Sequence, residues 1–126
     1  MANVLIEKKG KIAVVTVNRP KQMNSMNSET RSELAKTFTD LGNESDISVI
    51  ILTGAPGKAF IAGADIKEFL ERDLSSQEAL EEDWIVTKVI SDLSKPVIAM
   101  IDGFCLGGGL EIAMACDLRI ASDTSK

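Results

Sequence analysis

The chain has 126 residues, 44% of them apolar and 26% charged, with a net charge of −5. That balance fits one small globular domain able to bury roughly two-thirds of its unfolded surface, and the acidic excess excludes nucleic acid, whose phosphates require a basic face. With no His and two Cys, the chain holds no Ser–His or Cys–His catalytic pair, no zinc site and no disulfide framework. Cys105 and Cys116 lie in apolar stretches and read as reduced, buried thiols. The N-terminus lacks the pattern of a signal peptide, and no apolar run reaches the roughly 18 residues needed to span a bilayer. The expected setting is soluble, reducing and cytoplasmic, with no membrane partner.

Residues 4–7 and 11–18 are rich in Val and Ile and flank Lys8-Lys9-Gly10, which predicts a β-hairpin turning at Gly10. Asn18-Arg19-Pro20 ends the second strand, because Pro20 has no N–H to donate and biases Arg19 towards an extended shape. A loop through Met23 leads to a helix capped by Asn27 or Ser28, with Leu34, Phe38 and Leu41 at helical spacing and Gly42-Asn43 as its stop. The apolar run Val49-Ile50-Ile51-Leu52 reads as a strand buried on both faces. Residues 54–63 read as a glycine-containing loop, and a short helix begins near Ala64. Ser75-Ser76-Gln77-Glu78 matches a capping box opening a longer helix that carries Leu80, Trp84, Ile85, Val89 and Leu93. A buried strand follows over residues 97–101. Gly107-Gly108-Gly109 then turns the chain into an apolar helix from Leu110 to about Ala115, and residues 118–121 read as a last strand. The alternation of strands and helices predicts an α/β fold with crossover connections. The final strand has nothing after it to pack over it, so the chain reads as truncated.

Three features carry candidate chemistry. Gly57-Lys58 fails as a phosphate-binding P-loop, because Leu52 stands where the first glycine belongs and Ala59 where Ser or Thr belongs. Gly107-Gly108-Gly109 lacks the spacing of a dinucleotide fingerprint. Two readings of it stay open. The glycines either permit a tight turn and close helix packing, or they present unpaired N–H groups at a positive helix end to an anion or a carbonyl that becomes anionic. Glu111, acidic on an otherwise apolar helix, is correspondingly either a partner for the helix dipole or a catalytic carboxylate. The small Ala62-Gly63-Ala64 stretch again exposes backbone donors ahead of a helix. There Asp65 reads as a cap or a site residue, and Lys67 and Glu68 as solvated charges or as site residues.

Residues 58–68, Lys58-Ala59-Phe60-Ile61-Ala62-Gly63-Ala64-Asp65-Ile66-Lys67-Glu68, resemble the first signature of the enoyl-CoA hydratase/isomerase (crotonase) superfamily. Residues 95–111, from Lys95-Pro96-Val97 to Gly107-Gly108-Gly109-Leu110-Glu111, resemble the second. Asn18-Arg19-Pro20 with Met23-Asn24 and Met26-Asn27 is similar to the family's loop after the first hairpin, and Cys116-Asp117-Leu118-Arg119-Ile120-Ala121 continues the likeness.

The resemblance implies an incomplete crotonase-like ββα spiral, with residues 1–126 forming the N-terminal portion of an acyl-CoA-binding domain and the C-terminal helical part absent. It implies an oxyanion hole made by the backbone amides of Ala64 and Gly108, a substrate-binding segment over Ala64, Asp65, Ile66 and Lys67, and Lys58 and Lys67 near the nucleotide phosphates. Glu111 takes the place of the first catalytic glutamate of a hydratase, and the second lies beyond the chain's end. The activity implied is addition of water across the double bond of a 2-enoyl-CoA thioester, in fatty acid metabolism, by a homotrimer or hexamer. No metal or separate cofactor is called for, coenzyme A being part of the substrate. The alternatives are isomerase or dehalogenase chemistry on the same scaffold, or a non-catalytic fragment; the isolated chain is expected to be inactive.

Overall fold

The computed structural model describes residues 2–71 and 77–126. The hairpin forms as read, with β1 (Val4–Lys9) antiparallel to β2 (Ile12–Val17) and Gly10 in the left-handed region at φ 60°. Pro20 does more than end β2: it starts a single 3-10 turn, Pro20–Gln22, because its fixed φ and missing N–H suit a first helical position. Helix α1 (Ser28–Gly42) is capped by Asn27, whose side chain accepts from the Thr30 N–H at 2.9 Å.

From there the chain repeats a unit of long strand, short strand and helix. The first unit is β3 (Val49–Gly54), β4 (Ala59–Ile61) and α2 (Ile66–Glu71), followed by α3 (Gln77–Asp92). The second is β5 (Val97–Ile101), β6 (Phe104–Cys105) and α4 (Gly108–Ala115), followed by β7 (Leu118–Ala121). Equivalent strands lie side by side: β3 is parallel to β5, and β4 to β6. The long strands form one sheet in the order β1-β2-β3-β5-β7 and the short strands a second, two-stranded sheet. The sequence reading treated residues 54–63 as loop and did not foresee β6. Both short strands lack a run long enough to show a period, and each exists through its pairing with the other.

One face of the long sheet supplies the core. Ala13, Val15 and Val17 of β2, Ile50 and Leu52 of β3 and Val97 and Ala99 of β5 pack with Leu34, Phe38 and Leu41 of α1. Each fully buried Leu or Phe contributes roughly 2 kcal/mol by leaving water. The expectation of strands buried on both faces is corrected here: Val49 and Ile51 are half-buried and Met100 is exposed, since the core helices join the cluster through the opposite face. The longer helix forms as α3 and turns Val86 and Ile90 into the core, with Val89 and the following Leu93 against it, while Trp84 and Ile85 are exposed. The capping-box residues Ser75 and Ser76 lie outside the described residues, and no helix among those described is long and apolar enough to cross a membrane. Cys105 and Cys116 are free and buried, as read; burial pushes the Cys116 thiol up to about 12, so it stays protonated at neutral pH.

Asn24 joins the two sheets. It is almost completely buried, sits at φ 55°, accepts from the Arg19 N–H at 2.9 Å, and donates to the carbonyls of Ala55 at 3.1 Å and Ala59 at 2.8 Å. Asn is among the few residues that tolerate a left-handed backbone, and its amide is the part that meets two carbonyls. Asn24→Asp replaces that donor with an acceptor of the same shape, and urea denaturation is expected to show a loss of about 2–4 kcal/mol; an unchanged midpoint would remove Asn24 from this role.

Candidate functional site

The two repeating units place their connections against one another. Ala64 stands three residues after the end of β4 at Ile61, and Gly108 three residues after the end of β6 at Cys105. Because β4 and β6 pair in parallel, the two connections run alongside, and a Cβ built on Gly63 would lie 3.2 Å from the Leu106 carbonyl oxygen and 3.8 Å from the Gly108 nitrogen. Gly63 itself has φ 106°, a conformation that side chains resist.

Several neighbouring amides in the two connections are spent on backbone bonds. Ala62 N–H donates to Met23 O, Asp65 N–H to Met26 O, Gly109 N–H to Leu106 O and Glu111 N–H to Gly107 O. Among the described residues the amides of Ala64 and Gly108 make no such bond. Gly108 is the first residue of α4, where the first helical N–H groups lack intrahelical acceptors and the dipole is positive.

These two residues line one cavity of about 260 Å³ together with Glu111, Met26, Arg31, Trp84, Val86, Thr87 and Ile112. Glu111, in the first turn of α4, is exposed, and among the described residues its carboxylate makes no hydrogen bond. The cavity therefore pairs two backbone donors with one acid on a largely apolar wall. Such a set can polarise a carbonyl and move a proton beside it.

The structure brings Ala64, Gly108 and Glu111 together; it distributes the other sequence candidates differently. Asp65, Ile66 and Lys67 line an adjoining cleft of about 360 Å³ that shares Ala64. Lys58 lines a third cleft with Gly57, Asp102, Gly103, Phe104, Thr124 and Lys126, which includes none of the three cavity residues. The Asp65 side chain is engaged. Its Oδ1 accepts from the N–H groups of Lys67 at 3.0 Å and Glu68 at 3.3 Å, and its Oδ2 from Arg19 Nη2 at 3.0 Å. Glu68, for which a solvated charge was one reading, instead accepts from the Ser28 N–H at the start of α1 and from Arg31 Nη2 at 3.0 Å.

Arg31 and Arg19 were not among the sequence candidates. Arg31 is buried on the α1 face that carries Leu34 and Phe38, and its Nη1 donates to the Met26 carbonyl at 2.9 Å. A cation on an apolar helical stripe was the available signal, since a buried Arg needs partners. Arg19 gave no signal beyond its place before Pro20.

The family model for enoyl-CoA hydratase/isomerase matches residues 7–126. The chain belongs to that family. It is 46% identical to the short-chain-enoyl-CoA hydratase of Clostridium acetobutylicum, over 98% of this chain and 48% of that protein. It is 43% identical to the crotonyl-CoA hydratase of Syntrophomonas wolfei, with the same shares covered. The crystal structure of an enoyl-CoA hydratase/carnithine racemase from Magnetospirillum magneticum superposes with a TM-score of 0.91 at 38% identity, covering 99% of this chain and 48% of that one. The chain thus spans about half the length of the curated relatives it matches, and its α/β architecture is that of a crotonase fold over that length.

Adjacent glycines differ in what they tolerate. A Cβ on Gly109 would lie 2.0 Å from the Ile61 carbonyl oxygen, whereas one on Gly108 would meet nothing within 4 Å. Gly109→Ala is expected to cost about 2–4 kcal/mol in thermal or urea unfolding, and Gly108→Ala to fold normally while placing a methyl at the cavity wall; equal stabilities would contradict the close approach described here.

The Arg19 guanidinium holds the Asp65 carboxyl below its ordinary value of 3.8. The unfolded chain therefore takes up this proton first as pH falls, so the group's contribution is present above about 3.8 and is lost below it. Stability measured against pH is expected to fall more steeply below about 4 for the wild type than for Asp65→Asn.

Proposed function

We propose that the protein is an enoyl-CoA hydratase, and that this chain supplies its carbonyl-binding amides and one catalytic acid. The observation that carries this reading is the convergence on one cavity of two uncommitted amides, Ala64 and Gly108, with the carboxylate of Glu111. A 2-enoyl thioester needs both. Its carbonyl oxygen gains negative charge as water adds to C3, and a pair of fixed N–H donors stabilises that enolate; losing one donor costs about 3 kcal/mol of transition-state stabilisation. Glu111 takes a proton from the attacking water, the new C–O bond forms at C3, and the enolate collapses as C2 is protonated.

Water addition to a conjugated thioester also accounts for the composition of the wall. Met26, Val86 and Ile112 suit an acyl chain, and the exposed side of Trp84 an apolar group at the mouth. On this reading Lys67, beside Ala64 on the adjoining cleft, meets the phosphates of coenzyme A; that Lys58 lines a different cleft does not support the same role for it. The chemistry needs no metal or separate cofactor. The names of the two hydratase relatives favour a short acyl group. A second acid to deliver the proton to C2, and the trimeric or hexameric assembly implied by the family resemblance, belong on this reading to the full-length protein.

Glu111→Gln in the full-length protein is expected to lower kcat for crotonyl-CoA hydration by about 10² to 10⁴, followed by loss of the conjugated thioester absorbance. KM is expected to stay within about threefold, since the substitution removes proton transfer and leaves the binding surface intact. Unchanged turnover would remove Glu111 from the reaction.

A further inference from the structure

The segment that presents the Ala64 amide is held from one side by the loop before α1. Met26 N–H donates to Gly63 O at 2.8 Å, Asp65 N–H to Met26 O at 3.0 Å and Ala62 N–H to Met23 O at 3.2 Å. This single bridge uses the groups on either side of the Ala64 amide and leaves that amide uncommitted.

Arg19 supplies a second hold on the same residues. Its Nη2 donates to Asp65 Oδ2 at 3.0 Å, and its Nη1 donates to the Ser25 carbonyl beside Met26. The two side chains are 11% and 16% exposed, so the pair is shielded and geometrically defined rather than a loose surface contact. Arg19 is itself fixed, because its N–H donates to Asn24 Oδ1, and Asn24 is bonded to Ala55 and Ala59. Asp65 is fixed by the first turn of α2 through the Lys67 and Glu68 amides. Neither Arg19 nor Asp65 lines the cavity that holds Glu111, and Asp65 lines the adjoining cleft that shares Ala64.

We propose that Arg19 and Asp65 are positioning residues whose ion pair fixes the Ala64 amide at the spacing from the Gly108 amide that a thioester carbonyl requires. The proposal rests on the reading of those two amides as the carbonyl-binding pair. Misplacement by about 1 Å of a group that acts in the transition state costs on the order of 10²-fold in rate, so releasing the hold affects turnover far more than binding.

Asp65→Asn isolates the ion pair, because Asn keeps an acceptor oxygen for the helix cap and loses the charge that holds Arg19. In the full-length protein it is compared with Arg19→Lys and with the control Asp40→Asn, which breaks an exposed pair with Lys36. The readouts are crotonyl-CoA hydration kinetics and the infrared thioester carbonyl stretch of the bound ligand, which reports polarisation by the two amides. Asp65→Asn is expected to lower kcat about 10- to 100-fold with KM within about threefold, and to shrink the carbonyl shift. Arg19→Lys, which keeps the charge without the fork, is expected to recover part of both, and Asp40→Asn to match the wild type. A wild-type kcat and carbonyl shift in Asp65→Asn would overturn the proposal, even if the variant were less stable. A wild-type protein that binds crotonyl-CoA without any carbonyl shift would instead overturn the reading of Ala64 and Gly108.

Discussion

The cleft depends on how closely the connection after β4 lies against the connection after β6. That approach is a backbone-to-backbone contact. At Gly109 an added methyl would reach the Ile61 carbonyl at 2.0 Å, and at Gly63 the chain both passes Leu106 and adopts φ 106°. Packing at this range leaves no room for side chains, so the two connections meet through main-chain atoms. The stacking of like units, β3 on β5 and β4 on β6, is what turns two ordinary strand-to-helix connections into one site.

Around that contact the protein buries charge, which is costly unless every charge is paired and bonded. Arg19–Asp65 and Arg31–Glu68 meet this condition in the same way. Among the described residues, each guanidinium reaches a carboxylate at the start of α2 and a carbonyl of the consecutive residues Ser25 and Met26. The two pairs therefore brace the loop before α1 against α2 from both ends. Glu68 also occupies the N-terminus of α1, where a carboxylate is favoured by the exposed N–H groups. An acidic chain thus holds one cation buried and one shielded, each through local pairing.

The family likeness and the main elements were legible because their signals are local. The hairpin at Gly10, the Asn27 cap and the apolar stripe of α1, and the strands at β3 and β5 all declare themselves within a few residues. The reading failed where the signal was shared between distant segments. Residues 59–61 look like loop because three residues show no period; they become β4 only through Phe104 and Cys105. On α3, residues 84 and 85 look as apolar as 86 and 90, and only the positions of α1 and α4 decide which pair is buried.

The sequence by itself determined the α/β alternation, the glycine turns and the presence of Ala64, Gly108 and Glu111 in two short motifs. These follow from propensity, capping and steric rules that act over one turn of chain. Tertiary structure alone decided that the three share a cavity, that Lys58 lies on a different cleft, and that Asp65 and Glu68 anchor the shielded Arg19 and the buried Arg31. Those outcomes rest on contacts between residues far apart along the chain, whose partners are chosen by the pairing of the strands and by the need to neutralise each buried charge.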